Sequence, residues 1–442
     1  MKGLVSLIRI VVGGLFIFSG FVKAIDPLGT SYKMHEYFEA FSSLGMQGLW
    51  QAMSAWSTPI AVIMIVVEMA AGVALLIGWI PKLTVWILYL MTMFFTVLTG
   101  FTYLSGYCPT AAFGILSLAV SALWLVAAAR FHDKVGNKIF WLAIGTTVVM
   151  LLMMKFGNAL LSCGFTASKM KVTDCGCFGD FIKLKPWETF WKDIVLDVLI
   201  FILVIRVKDI KPLFSTAGVH ITTALATVLS LLFCFSNFLW NLPVVDFRPY
   251  KPGNNIRELR KALKPEVREY VFAYKNKITG EERNFKMDEL DQADENWDFV
   301  DRKDVVIDPG IPAKINNLFI RNAEGEDITD QLLSDEKYSM MAVMYKLGNT
   351  KRNAFKQLNE LADFCDKKGL HFYGVYGGDM PADPFRHEMQ TPFEFYTADE
   401  TALKTIIRSN PGLVLLKNGV VVDMWHHRHL PTVDELEKNY LK

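Results

Sequence analysis

Apolar and polar positions divide the chain unevenly. Apolar runs near membrane-span length occur at about 4 to 24, 57 to 79, 83 to 105, 110 to 129, 138 to 161, 188 to 206 and 217 to 240, and none follows Trp240. The pattern predicts a helical bundle of about seven spans over 1–240. Beyond Asn241-Leu242-Pro243 the chain turns polar. Residues 241–309 predict a connector with a charged helix at about 256 to 270 and an acidic one at 288 to 301. From about 310 the period changes again. A hairpin is expected around Asn317 to Gly325 and a buried strand at Met340 to Tyr345. A helix follows from Ala354 to Lys367, then a strand at His371 to Tyr376 and a helix at about Ala398 to Arg408. Paired strands at Leu413 to Leu416 and Val420 to Met424 and a last helix from Thr432 complete the series. Strands alternating with helices and closing in a hairpin predict an α/β layer fold over 310–442.

Composition agrees with a membrane part. Hydrophobic residues make up 52% of the 442 positions, more than an ordinary soluble chain carries. The net charge of +1 hides an asymmetry: residues 241 to 442 hold about 29 Lys+Arg against about 34 Asp+Glu, leaving about 17 against about 11 for the rest. Neither part is basic enough to predict nucleic-acid binding. With the N-terminus inside, Lys82, the group Arg130, Lys134 and Lys138, and the group Arg206, Lys208 and Lys211 fall in inner loops. Seven spans then place the C-terminal domain outside a bacterial cytoplasmic membrane. The run from Lys2 is read as a span and not a cleaved signal, because Arg9 interrupts it and no small-x-small site precedes Asp26-Pro27.

The sharpest local signal is Asp174-Cys175-Gly176-Cys177-Phe178-Gly179-Asp180, a short loop before the sixth run. A disulfide across one residue is bent from relaxed geometry, which makes it easier to reduce and more oxidising. The intervening glycine supplies backbone freedom that a residue with a Cβ lacks. Cys108, Cys163, Cys175 and Cys177 all fall on the expected outer side, where disulfides persist. Four cysteines allow three pairings, which leaves two readings open: structural bridges, or a redox pair at 175 and 177 served by Cys108 and Cys163.

Charges within the apolar runs are functional candidates, since an unpaired charge in a bilayer costs several kcal/mol. Glu68 and Asp197 fall near mid-span at similar depths, and Arg9 near the inner end of the first run. A proton path through Glu68 and Asp197 and a helix-locking pair of Glu68 with Arg9 are both open. Ala70, Ala74 and Gly78 predict a small-residue packing face. Tyr32, Tyr37, Phe38, Phe41, Trp50 and Trp56 predict an interfacial segment between the first two spans.

Several of these residues carry a family resemblance. The run from Arg9 through Val11-Val12-Gly13-Gly14, Ser19-Gly20-Phe21-Val22-Lys23 to Asp26-Pro27 resembles the first span of the DoxX and MauE family of small membrane proteins. Glu68 with Ala71-Gly72-Val73-Ala74-Leu75-Leu76-Ile77-Gly78 resembles its second span, and Asp174-Cys-Gly-Cys-Phe-Gly179 resembles the MauE loop. The resemblance extends to about residue 210. It implies thiol-disulfide chemistry that supports disulfide formation in an exported protein, beside a thioredoxin-like partner. The stretch from Cys108 to Cys163 departs from the family's four-span plan, so the resemblance implies nothing for those two cysteines.

The C-terminal pattern, with Asn410-Pro411 ahead of a strand and Leu415-Leu-Lys-Asn-Gly419 turning its hairpin, resembles a thioredoxin-like domain over about 310 to 442. Pro411 matches the proline that is cis in thioredoxins, and with Asn410 it is the implied client-binding position. The departure is chemical: the segment after the first buried strand reads Lys346-Leu-Gly-Asn-Thr-Lys-Arg352 and holds no cysteine, and the domain's only cysteine, Cys365, falls on a helix. His427 and His429, two apart on an expected strand, would share a face and are weak candidates for metal ligands.

The leading expectation is a multi-pass membrane thiol-disulfide oxidoreductase with a thioredoxin-like outer domain. Its partners would be membrane lipid, a membrane quinone as electron carrier and an exported thiol-containing client, with no covalently bound cofactor. Phe178 and Trp187 are placed near that carrier by sequence proximity. The alternatives are a scaffold with permanent bridges whose outer domain docks an envelope protein, and a metal handler.

Overall fold

The computed structural model describes residues 2–43, 46–106, 172, 176–179, 181–182, 184–264, 267–292, 295–308, 310–311 and 313–441. They form two compact units, Met1–Val245 and Asp246–Lys442.

The first unit is helical: α1 (Lys2–Ile25), α2 (Pro27–Ser42), α3 (Gln47–Ala55), α4 (Ser57–Ile77), α5 (Pro81–Ser105), α6 (Pro186–Ile205) and α7 (Thr216–Phe235). Local chemistry sets the boundaries. Asp26 caps α2 by accepting from the Gly29 N–H at 3.0 Å, with Pro27 in the first helical position, where its missing donor costs nothing. Gly78 ends α4 in the left-handed region at φ 78°. Pro186 and the Glu188 carboxylate, which accepts from the Lys185 N–H at 2.9 Å, open α6.

Four helical stretches among the described residues are long and apolar enough to cross a membrane: Gly3–Ile25, Ser57–Ile77, Pro81–Ser105 and Thr216–Trp240. The expected spans at 110 to 129 and 138 to 161 lie outside the described residues. The sixth expected span is the helix α6, whose Glu188, Lys192, Asp193 and Asp197 set it apart from the apolar four. Helices α1, α4, α5 and α6 share an apolar interior that includes Val12, Phe16, Leu75, Leu88, Ile200 and Leu203. Leu4, Ile10, Ile63, Val198, Ile221 and Leu225 point outward, the exterior a bilayer requires.

The expected small-residue face is displaced. The close crossing is between α1 and α4 at Gly13, Gly20 and Gly72: a Cβ on Gly72 would sit 2.9 Å from the Gly13 carbonyl oxygen and 3.0 Å from the Ile17 nitrogen. Ala70 is only half-buried, and Gly78 is a helix cap. Residues 25 to 56 form two helices rather than one interfacial segment, and Tyr37, Phe38 and Phe41 of α2 are buried.

The second unit holds two sheets. The first is antiparallel, in order β2-β1-β3, from β1 (Val267–Asn276), β2 (Glu282–Lys286) and β3 (Trp297–Asp308). It overturns the helices expected at 256 to 270 and 288 to 301. Tyr270, Phe272 and Tyr274 recur every second residue, and the sheet packs Tyr274 edge-to-face with Phe285 and Phe299, and Phe285 edge-to-face with Trp297. The helical part of the expectation shrinks to Ile256–Leu259 and a short 3-10 stretch at Met287–Gln292.

The second sheet has order β6-β5-β4-β7-β8, from β4 (Tyr338–Met344), β5 (His371–Tyr376), β6 (Glu394–Thr397), β7 (Gly412–Lys417) and β8 (Val420–His426). Strands β4, β5 and β6 are parallel, while β7 runs antiparallel to both β4 and β8. The longer helices, of seven residues or more, are α8 (Phe355–Lys368), α9 (Ala382–Met389), α10 (Glu400–Ile406) and α11 (Val433–Tyr440), with a short one at Thr329–Leu333. Met340, Met344, Leu358, Leu361, Leu413 and Leu436 meet in its core. The segment expected as a hairpin at 317 to 325 forms no strand; Arg321 instead bridges to Asp327 and to Thr397 at the end of β6.

Candidate functional site

The described part of the Cys-Gly-Cys loop turns tightly. Gly176 and Gly179 take φ of 60° and 51°, and the Gly179 N–H donates to the Gly176 carbonyl at 3.0 Å. Cys177 is buried. Its carbonyl accepts a hydrogen bond from the Ser19 hydroxyl at 2.9 Å, and Ser19 Oγ in turn accepts from Lys23 Nζ at 3.0 Å. Ser19 and Lys23 are four residues apart on α1, one above the other on the same face. Lys23 Nζ also donates to both Glu68 oxygens, at 2.9 and 2.8 Å. Both side chains of this ion pair are almost wholly inaccessible, 3% and 2% exposed. Phe18 packs on Phe178 and Phe181, each at 5.9 Å between ring centroids, so an aromatic wall stands beside Cys177.

A second polar cluster lies between α5 and α6. Thr96 donates to Asp197 Oδ2 at 2.7 Å, and Thr99 donates to Asp193 Oδ2 at 3.0 Å. Lys192 Nζ reaches Asp193 Oδ1 at 2.5 Å and sits 5.4 Å from the centre of the Phe178 ring. One turn further along α5, Thr102 pairs with Tyr37 at 2.7 Å. The Asp197 Oδ1 atom is buried with no hydrogen-bond partner among the described residues.

This arrangement corrects the expectation for Arg9. Its guanidinium donates to the carbonyls of Leu75 and Leu76, both at 2.6 Å, and of Lys211 at 2.9 Å, so it caps the C-terminus of α4 and does not pair with Glu68. The partner of Glu68 is Lys23. No hydrogen bond among the described residues joins Glu68 to Asp197. Cys108, Cys163 and Cys175 lie outside the described residues, and Cys234 is buried in α7 against Ala24, Val62 and Ile65. Sequence reasoning missed Ser19, Lys23, Lys192 and Asp193 as site residues. The signals were present: Ser19 and Lys23 share a helical face, as do Asp193 and Asp197.

In the second unit Asn410 and Pro411 precede β7, joined by a cis bond, and both are buried. Asn410 is occupied from within: its amide donates to the Lys346 carbonyl at 2.8 Å, its Oδ1 pairs with the Thr350 hydroxyl at 3.1 Å, and its backbone carbonyl accepts from the Lys351 N–H at 3.0 Å. Leu347 and Gly348 N–H groups donate to Asp379 at 3.0 and 3.3 Å. The segment from Lys346 to Arg352 is thus a turn held by Asp379 and Asn410. Cys365 is buried on α8, and burial pushes its thiol up to about 12.

The shared-face argument for His427 and His429 fails, because β8 ends at His426 and the next residues turn. His427 Nδ1 bonds the Ser409 hydroxyl at 3.0 Å, while His429 is exposed. Burial and neighbouring basic groups lower His426 to about 3 and His427 to about 4. Among the described residues no group of three or more His, Cys, Asp or Glu is placed to hold a metal.

Two family matches accompany this geometry. The family described as methylamine utilisation protein MauE matches residues 1–114, about a quarter of the chain, which takes in α1 to α5 with Lys23 and Glu68 but stops short of the Cys-Gly-Cys loop. A domain of unknown function (DUF8463) matches residues 268–309, nearly the extent of the three-stranded sheet. No curated protein and no solved structure matches the chain.

Proposed function

We propose that this membrane protein, with its MauE-type N-terminal part, is a thiol-disulfide oxidoreductase that forms disulfides in an exported client and passes the electrons to a membrane quinone. The client's two thiols give up two electrons and two protons and become a disulfide, while the Cys175–Cys177 bond opens to a dithiol. The quinone, a substrate, then takes two electrons and two protons and leaves as quinol, restoring the bond. Cys175 and Cys177 exchange with the client directly, and Cys108 and Cys163 serve that pair as a relay.

The observation that carries this reading is the tie from Cys177 through Ser19 to the buried Lys23–Glu68 pair. A buried ion pair is a poor device for stability alone, and in a bilayer it is a functional candidate by default. Here it holds the backbone of a cysteine loop. Phe18, Phe178 and Phe181 supply the apolar, aromatic surroundings that a quinone ring needs. Asp197, with one buried oxygen lacking a partner among the described residues, is the candidate proton carrier.

For the second unit the proposed fold is thioredoxin-like. The parallel β4–β5 pair, the antiparallel β7–β8 hairpin and Asn410-Pro411 ahead of β7 support it. With Cys365 buried and the cysteine position replaced by a capped turn, this unit positions a client without reacting, and the seven-span reading sets it on the outer side.

The test uses the purified full chain in lipid nanodiscs with a reduced dithiol peptide and a short-chain quinone. One quinol formed per peptide disulfide, abolished by Cys175→Ser and by Cys177→Ser, supports the proposal. Quinone reduction that persists in both variants refutes it.

A further inference from the structure

The redox reading gives no task to Lys192, yet the structure places it with care. Its Nζ is held against Asp193, a side chain only 2% exposed whose other oxygen is fixed by Thr99. From there it lies over the ring of Phe178, the residue after Cys177, and within electrostatic reach of Cys177 itself. Two other lysines lie near the loop: Lys23 meets three acceptors, both Glu68 oxygens and Ser19 Oγ, which saturates its three N–H donors, and Lys33, whose Cγ is 3.2 Å from where a Cβ on Gly176 would stand, has its Nζ paired with Glu36 at 2.7 Å. Lys192 spends one donor on Asp193 among the described residues.

We propose that Lys192 is the cation that stabilises the Cys177 thiolate when the 175–177 bond opens, with Asp193 and Thr99 as positioning residues. In the exchange a client thiolate attacks the Cys175 sulfur and its electron pair forms the new S–S bond. The old bond breaks, and its pair leaves on Cys177 sulfur as a thiolate. That sulfur is buried, where an isolated anion is disfavoured, so a neighbouring ammonium lowers the cost of departure. A better-stabilised leaving thiolate departs faster. On this proposal Cys177 is the leaving sulfur, and the attacked sulfur is that of Cys175.

This inference rests on the redox reading for its purpose but not for its measurement. The experiment uses the full chain in nanodiscs under reductant, carrying Cys175→Ser so that Cys177 is a thiol. The alkylation rate of Cys177 by iodoacetamide is followed across pH by peptide mass spectrometry. Adding Lys192→Met should raise the midpoint of the rate profile by about one pH unit, which lowers the thiolate fraction near neutrality about tenfold. The rate there should fall only about threefold, since a more basic thiolate is more nucleophilic. Lys192→Arg should restore the midpoint. Lys192→Gln, polar but uncharged, serves if the methionine variant fails to accumulate, and the same expectations apply to it. An unchanged midpoint without the charge overturns the proposal, as does an arginine variant that shifts as far as methionine. If the pair cycles with quinone while the midpoint ignores Lys192, only this inference fails. If the pair never cycles, the midpoint still decides the role of Lys192.

Discussion

Lys23 Nζ lies within 2.9 Å of both carboxylate oxygens of Glu68, deep in the helical unit, with neither side chain open to its surroundings. Two helices are locked by this contact, because Lys23 belongs to α1 and Glu68 to α4. The same lysine reaches the cysteine loop through one hydroxyl, Ser19. Stability and the position of the loop are therefore coupled.

Removing one partner should cost far more than removing both. Lys23→Met or Glu68→Gln alone leaves an uncompensated polar or charged group and should destabilise by about 3–5 kcal/mol, whereas the double variant should recover most of the loss. Thermal unfolding in detergent, followed by fluorescence-detected size exclusion, checks this. Additive losses would show that the two groups act separately.

Ser19→Ala should spare the ion pair but release the Cys177 carbonyl. The expected cost is about 1 kcal/mol, the net worth of an ordinary hydrogen bond. Hydrogen exchange in the peptide spanning Cys177 should speed up while exchange in α4 stays at its parent rate.

The helix crossing predicts a sharp contrast between glycines. Gly72→Val would drive a Cβ against the backbone of Gly13 and Ile17 and should cost about 1–3 kcal/mol or block assembly. Gly14→Val meets open space and should be tolerated. Expression level and unfolding temperature of the two variants, compared side by side, measure the difference.

In the second unit, His426 and His427 have folded pKa values lowered to about 3 and about 4, below the ordinary 6.5. The unfolded chain then binds more protons than the folded one between these values, so stability falls as pH drops from about 6.5 toward 4 and below. Urea unfolding of the unit's tryptophan signal should show this slope. The combined His426→Gln and His427→Asn variant should flatten it.

Much of the C-terminal sheet was legible in sequence. Met340 to Met344 and Leu413 to Leu416 are uninterrupted apolar runs bounded by turn residues, and they form the central strands β4 and β7. Helix α9 and strand β6 went unseen, since Ala382–Met389 is short and polar and Glu394–Thr397 is four residues long. The connector was misread because its charges mask an every-second-residue aromatic pattern, which only pairing between β1, β2 and β3 converts into a core. In the helical unit the candidate residues Glu68, Asp197 and Cys177 stood out by type, but their partners did not. Depth along a helix placed Glu68 near mid-span, whereas the choice between Arg9 and Lys23 depended on where α1 crosses α4, and that is set by Gly13, Gly20 and Gly72.

The central claim is tested most directly by the redox state of Cys175 and Cys177 in intact membranes, trapped with a mass-tagged maleimide before and after brief reductant. The account predicts a pair that is partly oxidised, reduces readily, and reoxidises only when the quinone pool is oxidised, with Cys175→Ser losing the cycle. A pair that stays bridged under mild reductant, or stays reduced whatever the state of the quinone pool, would contradict it.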